Sequence, residues 1–263
     1  MSLYLGIDTS NYTTSLALYD GKSGQIQQKK KLLPVKEGAL GLRQSDALFH
    51  HVKQLPDLAQ ALFAEAGERK IAAIGVSTQP RRRDDSYMPC FLVGECVAKT
   101  MASALNVPCY EFSHQNGHIM AALVSSGADS VLMGGEFAAF HVSGGTTEVL
   151  LVHPNGNDFL CDIIGGTADI NAGQAIDRVG VALGLTFPCG AALERLALSY
   201  EGKIPSRRIC VKDGFCNLSG LENMATALFE ETGDKPLVAA FVLRFIGDTL
   251  YAMASHLRRV YGE

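Results

Sequence analysis

Apolar and polar residues alternate, run together, or recur every three to four positions in an order that predicts an α/β chain. Residues 3–7, 14–19 and roughly 25–33 predict three consecutive strands, the last two joined by the turn Asp20-Gly21-Lys22-Ser23-Gly24, and Pro34 closes the meander. Leu48, Val52, Leu55, Leu58, Leu62 and Phe63 then recur at helical spacing. They predict a helix over 46–66 that lays one apolar stripe on the sheet, with Pro56 marking a kink or a start. The run 71–77 is almost wholly apolar, as a buried parallel strand is. A helix over 90–105 and a fifth strand over 107–110 complete the first half.

The pattern then starts again. Strands are predicted at 136–143, 147–153 and 158–163, the last two joined by Pro154-Asn155-Gly156-Asn157. The segment 165–179 leads into a helix that breaks over 183–190. Further helices are predicted at 191–199, 218–231 and 237–261. Only three strands are predicted in this half; counterparts of the fourth and fifth are missing, so the chain is a piece of a longer one or the lobe is abbreviated.

The restart is also one of motif. Leu5-Gly6-Ile7-Asp8-Thr9-Ser10-Asn11-Tyr12-Thr13-Thr14 and Phe140-His141-Val142-Ser143-Gly144-Gly145-Thr146-Thr147 share one grammar, an apolar strand into a small-residue turn ending in Thr-Thr. A lone Gly-Gly is ordinary hairpin chemistry. Two such turns with small side chains and glycines able to take positive φ suit backbone amides gripping phosphate. Paired hairpins of this kind resemble those of the actin, sugar-kinase and Hsp70 ATPase superfamily, whose fold is a pair of ribonuclease-H-like lobes with ATP between them. That resemblance implies a first lobe over 1–111, a connecting helix over 112–135 and a second lobe over 136–263 lacking its last strands. The turns at 9–13 and 143–147 would face each other across a cleft.

Composition is globular, 47% hydrophobic and 19% charged, with a formal net charge of −4 that does not mark a nucleic-acid binder. Basic clusters exist at Lys29–Lys31, Arg81–Arg83, Arg207-Arg208 and Arg258-Arg259, the second running into Asp84-Asp85. Each alone is a solvated face; several on one side would grip a phosphate backbone. No apolar run is expected to reach membrane-spanning length and the N-terminus lacks the basic start and apolar core of a signal peptide, which predicts a cytoplasmic protein. Seven cysteines without a metal-type pair fit a reducing compartment; Cys210 and Cys216 flank a polar loop and are expected at the surface.

Candidate chemistry centres on Ser113-His114-Gln115-Asn116-Gly117-His118. Ser113 is a predicted N-cap, and a helix stacks His114 and His118 on one face, where two imidazoles can share one divalent ion. Two polar histidines at a helix start explain the spacing equally well, and no Glu follows the first as in a zinc-protease motif. Asp177 lies early in a helix, placed for a sugar hydroxyl or for a simple pairing with a neighbouring Arg or Lys.

Taken in order, Leu5–Ser10, the His114/His118 helix, Val142-Ser143-Gly144-Gly145 with Thr147, Gly173–Arg178, Gly184-Leu185, Pro188-Cys189-Gly190 and Leu218–Leu221 resemble the tRNA N6-adenosine threonylcarbamoyltransferase family, long described as O-sialoglycoprotein endopeptidase or glycoprotease. The resemblance implies that His114 and His118 hold iron or zinc. It implies that Val142, Ser143, Gly144, Gly145, Thr146, Asp177 and Gly190 contact ATP or threonylcarbamoyl-adenylate, and that Asp8, Thr9, Ser10 and Asn11 form a first-lobe phosphate turn. It further implies transfer of threonylcarbamoyl to N6 of adenosine 37 in tRNA, with family partner proteins.

Departures from the family pattern remove charge. The family's His after Ser-Gly-Gly is Thr146, its acidic positions are Gly166, Ile170 and Gln174, and its Gly-Pro-Gly loop is replaced by 79–85. The later Gly-Gly-Val and Asp-Asn-Ala segments, which carry a nucleotide contact and a third metal ligand, do not occur. Transferase, partner-binding scaffold and, lowest, metal-dependent endopeptidase are therefore the readings to separate. A free sheet edge in the second lobe is expected to invite homodimerisation.

Overall fold

The computed structural model describes residues 2–10, 12–34, 42–67, 69–83, 86–128, 130–156 and 158–262; Asn11, Asp84, Asp85 and Asn157 of the motifs above lie outside them. The chain forms two compact units, one of 1–134 with 155–159 and one of 135–154 with 160–263.

In the first unit, β1 (Ser2–Asp8), β2 (Thr13–Asp20) and β3 (Ile26–Leu32) form an antiparallel meander. β4 (Lys70–Gln79) and β5 (Cys109–Ser113) add in parallel, giving the order β3-β2-β1-β4-β5. β1 takes the centre because it offers hydrogen bonds on both edges, to β2 and to β4. Alternation sends Leu3, Leu5 and Ile7 of β1 and Leu16 and Leu18 of β2 into one core with Leu55, Leu62, Ala98 and Ala102. Each such leucine contributes about 1.5–3 kcal/mol through burial. The last four residues belong to α1 (Gln44–Ala66), which carries Pro56 inside it, and α2 (Phe91–Leu105), which ends at Asn106 in the left-handed region, φ 53°. Between these helices Leu48, Val52, Leu55, Pro56, Leu92 and Cys96 line an apolar groove. The short α3 (His114–Ser126) packs on β4 and β5, and a single turn, α4 (Val131–Gly134), follows.

The second sheet has the order β6-β7-β8-β10-β9, built from β6 (Phe137–Val142), β7 (Thr147–Asn155), β8 (Asp158–Thr167), β9 (Val211–Lys212) and β10 (Phe215–Cys216). Here the structure adds to the sequence reading, which stopped at three strands. Two-residue strands are too short to show alternation. They attach beside β8, so among the described residues nothing pairs with the outer edge of β6, the strand that corresponds to β1. Pairing with β8 also carries Cys216 into the core, 2% exposed, contrary to its expected place at the surface; Cys210 is exposed.

Four helices cover this sheet: α5 (Ala172–Ala182), α6 (Gly190–Leu198), α7 (Gly220–Thr232) and α8 (Lys235–Tyr261). Contrary to the sequence expectation, α8 is long and apolar enough to cross a membrane by length and composition. Its apolar residues have another employment: Val238, Phe241, Val242, Phe245, Ile246 and Met253 are buried in the second core.

At one end of this sheet His153 Nδ1 lies 2.6 Å from Glu136 Oε1, and Nε2 lies 3.0 Å from Asp162 Oδ2. The Glu136 hydrogen bond, with the field of both carboxylates, raises the imidazole above its ordinary value against the opposing effect of burial. A raised folded value means that the contribution to stability is complete below about pH 6.5 and fades as pH rises through the folded value. The wild-type advantage over His153→Gln in urea unfolding is therefore expected to be larger at about pH 5.5 than at about pH 9. An advantage that does not change with pH would show that the imidazolium adds nothing.

Candidate functional site

The two predicted turns are built differently. In the first unit Asp8 ends β1, and its Oδ1 accepts the Ser10 N–H at 3.0 Å while its Oδ2 sits 2.7 Å from Nδ1 of His114. Burial alone would push this carboxyl up, but hydrogen bonds from His114, Ser77 and Ser10 and the electrostatic attraction of His114 hold it well below the usual carboxylate range. Thr9 is fully buried, its hydroxyl donating to the Cys90 carbonyl at 3.0 Å and accepting the Gly94 N–H at 3.1 Å. It ties the end of β1 to the start of α2 and does not face outward. Asn11 lies outside the described residues.

α3 begins as its sequence predicts. Ser113 Oγ accepts the Asn116 N–H at 3.1 Å, and Asn116 Nδ2 donates to Asp158 Oδ1 at 2.8 Å and to the Phe159 carbonyl at 2.9 Å. The Gln115 N–H donates to the Pro80 carbonyl at 3.0 Å. So anchored, the helix stacks His114 and His118 with ring centroids 4.3 Å apart and their Nε2 atoms at 2.9 Å. His114 is half-buried beside the Phe91 ring, and His118 is exposed.

In the second unit the turn after β6 is closed by the Ser143 N–H donating to the Thr146 carbonyl at 2.7 Å, and Ser143 Oγ accepts the Gly145 N–H at 3.3 Å. Gly144 and Gly145 do not take the left-handed φ that the sequence allowed. A Cβ on either would meet nothing within 4 Å, and the crowded position is Gly173. The turn rests on the first residues of α5, where the Gly173 N–H donates to the Ser143 carbonyl at 3.3 Å and a Cβ on Gly173 would stand 2.5 Å from Gly144 Cα. Thr147, 1% exposed, accepts the Ala172 N–H at 2.8 Å and locks β7 to the same helix start. The N–H groups of Gly144 and Thr146 have no protein acceptor among the described residues. Val142 closes the strand beneath the turn.

One helical turn beyond Gly173, on the same face, Asp177 Oδ1 accepts the Cys189 N–H at 2.7 Å and so holds the residue that precedes α6. Its neighbour Arg178 pairs with Glu222, so Asp177 is not half of a surface ion pair with it. Gly180 permits this close approach of helices, since a Cβ there would lie 2.2 Å from Cys189 Cβ. Gly190 has open space on its Cβ side.

The departures from the family pattern have local accounts. A Cβ at Gly166 would stand 2.8 Å from the Thr147 carbonyl oxygen, so an acidic side chain does not fit there as built. Ile170 packs on the second core. Gln174 Oε1 accepts the Asn171 N–H at 3.0 Å, the reach-back half of a capping box that a Glu would also supply. Sequence reasoning missed Asp8 as the partner of His114, for want of any local signal between residues so far apart in the chain. Asp169 was missed too: it accepts the Leu218 and Ser219 N–H groups at 2.8 and 3.0 Å and pins the start of α7.

The family model described as tRNA N6-adenosine threonylcarbamoyltransferase matches residues 35–253. A protein of that name from Thiobacillus denitrificans is 29% identical over 235 residues, 88% of this chain and 66% of the relative. Another from Nitrosospira multiformis is 34% identical over 209 residues, 78% of this chain and 57% of the relative. The matched stretch thus spans about two thirds of one relative and just over half of the other. Among solved structures, a ROK family glucokinase from Streptomyces griseus in complex with glucose and AMPPNP is similar with a TM-score of 0.50 at 10% identity, over 98% of this chain and 80% of that one. This is a likeness of fold, that of duplicated ribonuclease-H-like lobes. On the match of the family model over most of its length, the chain belongs to the tRNA N6-adenosine threonylcarbamoyltransferase family.

Proposed function

We propose that this chain supplies the metal-binding pair and the nucleotide-gripping turn of a transferase that moves threonylcarbamoyl from threonylcarbamoyl-adenylate to N6 of adenosine 37 in tRNA. The convergence of His114 Nε2 and His118 Nε2 at 2.9 Å carries the reading. Two imidazoles on one tetrahedral ion, with bonds of about 2.0–2.1 Å, stand roughly 3.3 Å apart, so a small opening of the pair fits iron or zinc. Among the described residues no group of three or more His, Cys, Asp or Glu forms a complete metal site. The ion, when bound, polarises the carbamoyl carbonyl as a Lewis acid.

The residues of the second unit hold the nucleotide in this reading. Gly144 and Thr146 offer N–H groups to phosphate oxygens of ATP or the adenylate, Asp177 Oδ2 takes a ribose hydroxyl, and the open Gly190 lets the nucleoside approach the α6 backbone. A lost charge-assisted hydrogen bond costs about 1.5–3 kcal/mol. Asp177→Ala is therefore expected to weaken nucleotide binding by roughly tenfold to a hundredfold in calorimetry. Affinity that survives the change intact would move the nucleoside elsewhere.

Family partner proteins and tRNA complete the reaction, and the cytoplasm is its place. The apolar α1/α2 groove is surface of the kind that proteins cover, and the free β6 edge supports a homodimer. The decisive experiment supplies tRNA, threonylcarbamoyl-adenylate and family partner proteins and looks for modified adenosine by mass spectrometry. Transfer that disappears in His114→Ala supports the proposal. Absence of transfer with nucleotide binding intact would favour a partner-binding scaffold.

A further inference from the structure

We propose that Asp8 is the positioning residue of the histidine pair: it holds His114 as the Nδ1–H tautomer and so presents the Nε2 lone pair toward His118. The inference rests on the metal reading of that pair and adds a residue to it. The carboxylate is gripped from two sides, Oδ1 by the Ser10 N–H at 3.0 Å and Oδ2 by His114 Nδ1 at 2.7 Å, so it has little freedom to turn away. An ionised carboxylate is only an acceptor, and the hydrogen between it and Nδ1 belongs to the imidazole. In the neutral ring the other nitrogen is then bare, and it is this Nε2 that lies 2.9 Å from His118 Nε2.

The two partners are held independently. Asp8 ends the central strand of its sheet, and α3 is anchored through Ser113, Gln115 and Asn116. The ring therefore cannot follow a displaced carboxylate without loss of those contacts. Carboxylate support of a ligating histidine fixes ring orientation and raises ligand basicity, and its removal typically weakens metal binding by about 10–100-fold. The assignment also gives the first hairpin turn a role other than holding phosphate: its carboxylate is spent on the imidazole.

The test uses the full chain labelled with 15N-histidine. At a pH where the imidazoles are neutral, wild-type His114 is expected to carry its proton on Nδ1, Asp8→Ala to shift it toward Nε2, and the isosteric Asp8→Asn to keep it on Nδ1 through the amide oxygen. Calorimetry with Zn(II) alone is expected to show weakening of about 10–100-fold in Asp8→Ala, a smaller loss in Asp8→Asn and no binding in His114→Ala. An unchanged tautomer in Asp8→Ala, or unchanged Zn(II) affinity beside clear loss in His114→Ala, overturns the proposal and leaves the metal reading standing. Wild-type protein that binds no Zn(II) yet shows the expected tautomer shift overturns the metal reading and leaves Asp8 as the residue that orients His114. Should Asp8→Ala fail to fold, the tautomer and affinity of Asp8→Asn decide.

Discussion

Gly173→Ala is expected to destabilise the second unit by about 3 kcal/mol, whereas Gly144→Ala, its neighbour in the same contact, is expected to change stability by no more than about 0.5 kcal/mol. A Cβ on Gly173 meets Gly144 Cα at 2.5 Å and Gly144 N and the Ser143 carbonyl oxygen at 2.9 Å, all of them backbone atoms with no rotamer to change. Neither side can withdraw freely. The start of α5 is held by Thr147 Oγ1 on the Ala172 N–H, and the turn is closed by its 2.7 Å Ser143–Thr146 bond. A Cβ on Gly144 meets nothing within 4 Å, and that residue is not in the left-handed region. Urea unfolding of both variants gives the comparison. Equal losses at the two positions would show that the tight approach of turn and helix is not what makes Gly173 necessary.

Thr14→Val is expected to cost about 2–4 kcal/mol, and Thr14→Ser to restore most of it. Thr14 is fully buried; its hydroxyl donates to Gln54 Oε1 at 2.9 Å and accepts from His51 Nδ1 at 2.8 Å. Burial lowers the affinity of His51 for a second proton, so the ring is neutral with its hydrogen directed at Thr14. The Ser10 backbone is the ring's other polar neighbour. Valine keeps the shape and strands both groups in the interior, each at about 1–3 kcal/mol. Gln54 also donates to the Leu32 carbonyl, so α1 loses a tie between β2 and β3. A Thr14→Val protein within about 0.5 kcal/mol of wild type would mean that water reaches His51 and Gln54.

The second of these predictions turns on a residue that the duplicated motif already marked. Thr14 and Thr147 occupy the same place in the two copies, and each is buried and bonded to the helix that follows, one through side chains and the other through a backbone N–H. The repetition was visible in the sequence; the reason for it was not. Small residues in a turn suggested open amides for a ligand, while Thr9, Thr14 and Thr147 prove to be packing devices.

Alternation, apolar runs and helical spacing determined the five strands of the first sheet, the first three of the second and all the long helices, because each of these patterns extends over enough residues to show. The spacing of His114 and His118 likewise determined that they share a helical face. Only the tertiary structure decided that Asp8 supports His114, that Thr9 bonds to the Cys90 carbonyl, that Asp177 accepts the Cys189 N–H before α6, and that β9 and β10 join beside β8 and bury Cys216. Each of these is a single contact between residues distant in the chain or a strand of two residues. Periodicity carries no information about such contacts, since their partners are chosen by the packing of whole elements and not by their sequence neighbours.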